Sequence, residues 1–394
     1  MPWIKSPNVA MYGGANWNTY IKTVPNSSPE QAKRIALLDP NISFFFFCRS
    51  GIEISDPSWP APRRFNSGDA AFFSGKPWYG NAPQCDSYQK NGMSIAYINN
   101  ITPALLNTAG CYVTADGGSG IDVVCIFNAD INASLQSGYT ALAPKVDVPP
   151  GGSYACAEAN VVQTLQSTAI QQLQSLGITV LLSVLNNHDS AGWSEFTDPE
   201  LAQNFVDQLK SVVTQYNLDG IDIDDEYSDG TANTTSLAMV TSMMQKSIPG
   251  KIISKALFQD LDYFGVPYKG VTLEQTLTYG WEMSYGGSPE YRLPPYVKKG
   301  MRKNTLSLGF WTGQPSRNPG NDVDWLKKNG YEGVMVYVFQ IASETSLMGT
   351  LVNAWCGPGN WNKKPNCPLD RCRISITLPQ SAIVDRDSRV MHRR

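Results

Sequence analysis

The chain has 394 residues, 42% of them hydrophobic and 16% charged, with a formal net charge of −3. That balance argues against a mostly disordered chain, and with no long run of Lys or Arg nothing advertises a nucleic-acid or anionic-membrane footprint. No apolar run approaches the ~20 residues that a membrane span needs.

Residues 1–90 are rich in Pro, Gly, Asn and aromatic punctuation, with a strand candidate at Phe44-Phe45-Phe46-Phe47 and an Asp-Ala-Ala-Phe-Phe run at 69–73. They read as a small, β-rich amino-terminal appendage. From Met93 short apolar strands alternate with helical or long-loop material. The strand candidates are Met93–Ile98, Ile121–Phe127, Ile178–Leu185, Leu218–Asp225, Lys251–Leu257, Thr278–Tyr285, Thr305–Trp311 and Gly333–Phe339. Between them Val162, Leu165, Ala169, Leu173 and Leu176 recur at helical steps, and Gly177 is placed to end that helix in a left-handed cap. Thr197-Asp198-Pro199-Glu200 opens a second helix, whose apolar stripe is Leu201, Phe205, Leu209, Val212 and Tyr216. Repeated βα units imply a parallel sheet, and eight of them over about 260 residues imply a (β/α)8 TIM barrel, fold class α/β. The competing open doubly wound sheet lacks a GxGxxG after its first strand. The expected organisation is an appendage at 1–90, a catalytic barrel at 91–356 and a Cys-containing tail at 357–394.

The eight cysteines stand at 48, 85, 111, 125, 156, 356, 367 and 372. None forms a CxxC pair, which argues against a zinc site. An even count permits up to four disulfides, and the cluster at 356, 367 and 372 points to oxidised staples within the tail. Cys125 reads as a small buried hydrophobe. The first residues, Met1-Pro2-Trp3-Ile4-Lys5, lack the apolar core of a signal peptide. They suit either a cytoplasmic protein or a mature secreted sequence with an added Met.

The chemistry concentrates in Leu218-Asp219-Gly220-Ile221-Asp222-Ile223-Asp224-Asp225-Glu226-Tyr227. Strand side chains alternate faces, so Asp222, Asp224 and Glu226 share one and Ile221 and Ile223 the other. In a barrel the isoleucines pack outward and the acids line the interior, with Glu226 nearest the carboxyl-end mouth. A solvated acidic turn accounts for Asp225 and Asp229 but not for three acids on one strand face, which are costly to bury unless their raised pKa is used. Calcium-loop spacing does not fit, because isoleucines interleave and Gly220 precedes the acids.

Asp219-Gly-Ile-Asp222-Ile-Asp224-Asp225-Glu226 resembles the DGxDxDxE signature of glycoside hydrolase family 18. The pair Asp225-Glu226 followed by Tyr227 is similar to endo-β-N-acetylglucosaminidases of the endoglycosidase H type. Leu181 to His188 with Ala191-Gly192, Phe127 to Asn132, and Lys251 to Ser254 extend the likeness, which spans roughly residues 93–356. The resemblance implies a substrate-assisted retaining mechanism, an exception to the usual two-carboxylate scheme. In it Glu226 is the general acid/base, Asp224 orients the acetamido group of the substrate, and Asp222 shares a proton with Asp224. Met283-Ser284-Tyr285 resembles the MxY segment of the family, which assigns Tyr285 to the acetamido carbonyl. Gly286 stands where an Asp is often found, and its contribution is absent.

Phe127, Asn187, His188, Tyr227, Trp281, Glu282, Phe339 and Gln340 are the expected substrate-binding residues, with Tyr337-Val338-Phe339-Gln340 in place of a family Trp. The implied activity is cleavage of the β-1,4 bond in the N,N′-diacetylchitobiose core of N-linked glycans. A chitinase and a non-hydrolytic glycan-binding barrel are the alternatives. No metal and no cofactor are expected. The expected partners are N-linked glycans of glycoproteins, and the expected protein is an extracellular or secreted monomer.

Overall fold

The computed structural model describes residues 3–13, 19–55, 61–99, 101–314, 318–339, 342–365 and 367. Five antiparallel strands come first: β1 (Ile4–Gly13), β2 (Tyr20–Val24), β3 (Phe44–Cys48), β4 (Ala70–Phe73) and β5 (Pro77–Gln89), in the order β1-β5-β3-β4-β2. Helix α1 (Pro29–Leu37) joins β2 to β3 and opens on a capping box between Ser28 and Gln31. Strand β3 is central and covered on both faces. Phe45 packs with Trp3, Phe72 and Tyr88, while Phe44 and Phe46 pack with Phe65 and Phe73 on the other side. A strand buried twice over has no polar phase, which explains the unbroken run of four phenylalanines.

Eight parallel strands then close a barrel: β6 (Met93–Ile98), β7 (Val123–Asn132), β8 (Thr179–Asn186), β9 (Gly220–Asp224), β10 (Ile252–Leu257), β11 (Tyr279–Glu282), β12 (Leu306–Phe310) and β13 (Gly333–Val336). Each pairs with the next, and β13 returns to β6. This is the expected (β/α)8 architecture with its β-rich amino-terminal sheet. Close approach decides one residue of the signature: a Cβ at Gly220 would collide with the Ile252 carbonyl of the neighbouring strand. Ile221 and Ile223 are fully buried against the surrounding helices, each worth about 2 kcal/mol of apolar burial.

Three sequence expectations shift. The single helix through residues 162–176 is two, α2 (Ala159–Gln166) and α3 (Ala169–Ser175). Ser167 breaks it: its hydroxyl donates to the Thr164 carbonyl and accepts the Ala169 N–H, taking bonds that the helix ladder would use. Gly177 does adopt the left-handed conformation, φ 82°, and Asp198 caps helix α4 (Pro199–Gln215) through the Glu200 N–H. Strand β11 stops at Glu282 and β13 at Val336, short of the expected Tyr285 and Phe339. Strand β7 instead runs past Phe127 to Asn132, with a register shift between Ile126 and Ala129.

The amino-terminal sheet floors the barrel. Arg34 pairs with Asp219 just before β9, the Tyr279 hydroxyl at the start of β11 donates to the Leu37 carbonyl (2.9 Å), and Lys90 meets Glu332 just before β13 (2.8 Å). Arg302 and Asn304, ahead of β12, reach Asn41 and the Pro40 carbonyl. Every barrel partner lies at the amino end of its strand. Ala32, Ala36 and Leu37 of α1 join Met93, Val123, Leu181 and Tyr279 in one core.

The tail expectation is corrected. Cys367 bonds to Cys111, 256 residues earlier, so the staple ties the tail to the connection after β6 rather than closing within the tail. Cys356 is a half-buried free thiol, and Cys372 lies outside the described residues. Cys125 is a free, fully buried thiol inside the barrel. Among the described residues no helix is long and apolar enough to cross a membrane.

Candidate active site

Asp222 points into the barrel and is fully buried. Four donors from four different strands hold it. The Tyr97 hydroxyl of β6 (2.6 Å) and the Ser183 hydroxyl of β8 (2.9 Å) donate to Oδ2; the Ser254 hydroxyl of β10 (2.6 Å) and the Trp281 indole N–H of β11 (2.9 Å) donate to Oδ1. Burial raises the Asp222 pKa, and these four bonds pull against it. A carboxylate so surrounded is satisfied without a cation.

Asp224, two residues on and one turn of the pleat nearer the mouth, is held differently. It is 4% exposed, and its Oδ1 has no hydrogen-bond partner among the described residues. Burial pushes its pKa well above the ordinary carboxylate value, and the charges of Glu226 and Asp222 push the same way. Lys255 opposes them. This fully buried lysine on β10 pairs with Asp260 (2.6 Å), which also accepts the Tyr296 hydroxyl (2.7 Å). Like charges close together in a dry site favour the protonated form, and both push the Asp224 pKa upward.

Glu226 follows the end of β9 and is half-buried at the mouth. Asp225 turns away from that row. Its Oδ1 accepts from Asn186 Nδ2 (2.9 Å) and the Ser194 hydroxyl (3.2 Å), while Asn186 Oδ1 accepts the Trp193 N–H (3.1 Å). Asp225 is thus a brace between β9 and the loop after β8, not a solvated turn residue.

Aromatic rings surround the acids. The register shift in β7 brings Phe127 to the mouth, as such irregularities re-aim side chains. Phe127 lies edge-on to Tyr337 (5.8 Å) and near Tyr97 (6.0 Å), and Tyr337 stacks on Tyr285 (5.9 Å). Trp311 meets Tyr285 at 6.0 Å and Tyr337 at 6.4 Å. Tyr285 is half-buried, with φ 56° just past β11. Its phenol pKa is raised well above 10 by burial, then by Tyr337, Asp224, Glu226 and Glu282, so it stays a hydrogen-bond donor.

The structure therefore brings Asp222, Asp224, Glu226, Tyr285 and Phe127 together at one end of the barrel. Glu282 is buried at the end of β11, where its Oε1 accepts the Ser284 N–H (3.2 Å). Asn187 is half-buried beside the Tyr139 phenol. His188 is exposed; its N–H donates to the Tyr227 carbonyl (2.8 Å), and the two rings lie 4.9 Å apart at the rim. Two expected sugar contacts stand elsewhere. Trp281 is fully buried beneath the site, stacked on Tyr279 and bonded to Asp222. Phe339 is fully buried outside the ring, edge-on to Tyr112 and Trp361, because the turn after Val336 breaks the strand alternation. Gln340 lies outside the described residues. The sequence alone assigns no role to Tyr97, Ser183, Ser254, Lys255 or Trp311, and of the segment 337–339 it points to Phe339 rather than Tyr337. Ser183 did leave a signal: it is a polar residue inside the apolar run 180–185 of β8.

Residues 111–292 match the sequence profile of glycosyl hydrolases family 18. The chain is 31% identical over 267 residues to an endo-beta-N-acetylglucosaminidase of Flavobacterium sp. (strain SK1022), covering 65% of this chain and 77% of that one. It is 28% identical over 260 residues to endo-beta-N-acetylglucosaminidase F1 of Elizabethkingia meningoseptica, covering 62% and 70%. The fold is similar to that of Bacteroides thetaiotamicron EndoBT-3987, crystallised with Man5GlcNAc product. That match has a TM-score of 0.55 at 16% identity over 93% of this chain and 94% of that one.

Proposed function

From the premise that the chain belongs to glycosyl hydrolases family 18 and is a glycoside hydrolase, we propose that it is an endo-β-N-acetylglucosaminidase. Its reaction is hydrolysis of the β-1,4 bond between the two N-acetylglucosamines of an N-linked glycan, leaving one sugar on the protein. One observation carries the reading: Asp222 and Asp224 stand on one face of β9 with Glu226 just past its end, the first saturated with donors, the second buried with its pKa raised by burial and by the charge of Glu226.

Glu226, at the mouth, protonates the glycosidic oxygen, and its carboxylate then takes a proton from water. The acetamido oxygen of the substrate's own sugar attacks the anomeric carbon and forms an oxazolinium ring. Asp224 Oδ1, buried and without a donor among the described residues, receives the acetamido N–H and aims the group. Tyr285 donates to the acetamido oxygen. Asp222 keeps the row in place through the four donors that its two oxygens accept. Phe127, Tyr337 and Trp311 form the apolar wall against which the sugar sits, and Asn187, His188, Tyr227 and Glu282 border it. The protein acts outside the cytoplasm, a reading supported by the Cys111–Cys367 bond.

The test is mass spectrometry of a glycoprotein bearing one high-mannose N-glycan, incubated with wild type and with Glu226→Gln. Wild type should leave a single N-acetylglucosamine on the protein, and the variant should lose at least 10³-fold in rate. Equal turnover by the variant would remove Glu226 as the acid; no cleavage by wild type, with turnover of chitin oligomers instead, would replace the substrate.

A further inference from the structure

Cys48 and Cys85 face each other directly across the antiparallel pair β3–β5. Their Sγ atoms are 3.1 Å apart, and both residues are fully buried. The ladder around them sets their approach. The Cys48 N–H bonds to the Asp69 carbonyl beside β4, whereas the next residue's N–H, that of Arg49, bonds to Gln84 on the β5 side. Cys48 and Cys85 are therefore a non-hydrogen-bonded pair, the kind whose Cα atoms lie about 4.5 Å apart and whose side chains come closest. That spacing falls within the range a disulfide spans, and the sulfurs need to move only about 1 Å to reach bonding length.

The surroundings offer the thiols little else. They lie in the core with Phe44, Phe46, Phe65 and Phe73, and a thiol is a weak hydrogen-bonding group. Among the described residues no set of three His, Cys, Asp or Glu side chains could turn the pair into a metal site. The chain already carries one disulfide, Cys111–Cys367.

We propose that Cys48 and Cys85 form a second, cross-strand disulfide that staples the sheet flooring the barrel. The oxidant is a small-molecule or protein disulfide. The thiolate of one cysteine attacks a sulfur of the oxidant, forming a mixed disulfide and releasing one oxidant thiol. The thiolate of the other then displaces the second oxidant thiol, so one S–S bond breaks as one forms and both protons end on the oxidant. Because the folded pair is closed to solvent, the exchange precedes the final packing of β3 against β5. The bond closes a 37-residue separation and holds the central strand of the sheet to β5, which leads directly into β6.

The full chain, reduced and denatured, is refolded in a buffer of reduced and oxidised glutathione, denatured again with iodoacetamide and no reductant, and digested. The expected product is a linked pair of peptides containing Cys48 and Cys85, lighter by two hydrogens than their sum. Carbamidomethyl groups on both cysteines, in refolded protein of native thermal stability, overturn the proposal, as does pairing of either with another cysteine. A second readout uses the full chain carrying Cys111→Ser and Cys367→Ser. Its Tm after oxidative refolding should exceed that after refolding in reductant by on the order of 5 °C, and equal values count against the bond.

Discussion

Two ends of one strand treat their acids in opposite ways. Asp219, just before β9 and on the closed side of the barrel, meets Arg34 and also accepts from Gln174 Nε2 (3.0 Å) and the Val180 N–H (2.9 Å). Three residues on, Asp222 has four neutral donors and no cation. Two further, Asp224 keeps an oxygen with no partner among the described residues, and burial with the neighbouring acids raises its pKa. The floor removes electrostatic tension, whereas the mouth retains it. Nothing in the β9 backbone demands this difference. Across five residues it follows from what the chain packs beside each carboxylate: a helix with an arginine at one end, and an opening that substrate fills at the other.

The strongest way to break this comparison is Asp224→Asn. Activity should fall by about 10³-fold, since the amide misaligns the acetamido group. Stability should move the other way. Because the folded pKa of Asp224 is raised, the folded state binds that proton more tightly than the unfolded chain does. Its stability therefore declines as pH climbs above the ordinary value of 3.8 toward the raised one. Asparagine carries no such cost, so the variant should melt about 3 °C above wild type at pH 7, with the gain fading toward pH 4. A melting temperature below wild type at pH 7 would show that Asp224 is not strained.

The floor should respond in reverse. Arg34→Met leaves the Asp219 carboxylate buried without its cation, which should cost about 3 kcal/mol in urea unfolding. Its kcat, measured well below the unfolding transition, should stay within twofold of wild type, because the arginine sits at the opposite end of the barrel. A kcat loss beyond tenfold in folded protein would mean that the floor shapes the mouth, and the two ends could no longer be treated separately.

The mouth was more legible from sequence than the floor, for a physical reason. Alternation along a strand is local, so Asp222, Asp224 and Glu226 declare a common face within five residues. The donors that make Asp222 tolerable are not local. Tyr97 lies 125 residues from it and Trp281 59 residues, and only barrel closure brings them in. The floor depends even more on distance: Arg34 reaches Asp219 across 185 residues, and Tyr279 reaches Leu37 across 242. The misplacement of Phe339 is the same lesson at short range. Strand alternation carried past Val336 points to Phe339, but the backbone turns after Val336, and the ring that faces the site is Tyr337.

The smallest expected effect sharpens the assignment of charge at the mouth. Tyr285→Phe removes one hydroxyl while Tyr337 and Trp311 still pack the ring, so the site should keep its shape. Losing one donor to the developing oxazolinium should lower kcat by about 10²-fold with little change in KM; a loss below threefold would take Tyr285 out of the site. The pH profile discriminates further. The phenol of Tyr285 remains protonated well above pH 10, so it contributes equally across the working range. Both limbs of the kcat profile must then come from the carboxylates, and Tyr285→Phe should lower the whole curve without moving either limb. A shifted limb would mean that the phenol acts on the protonation of Asp224 and Glu226 as well as on substrate.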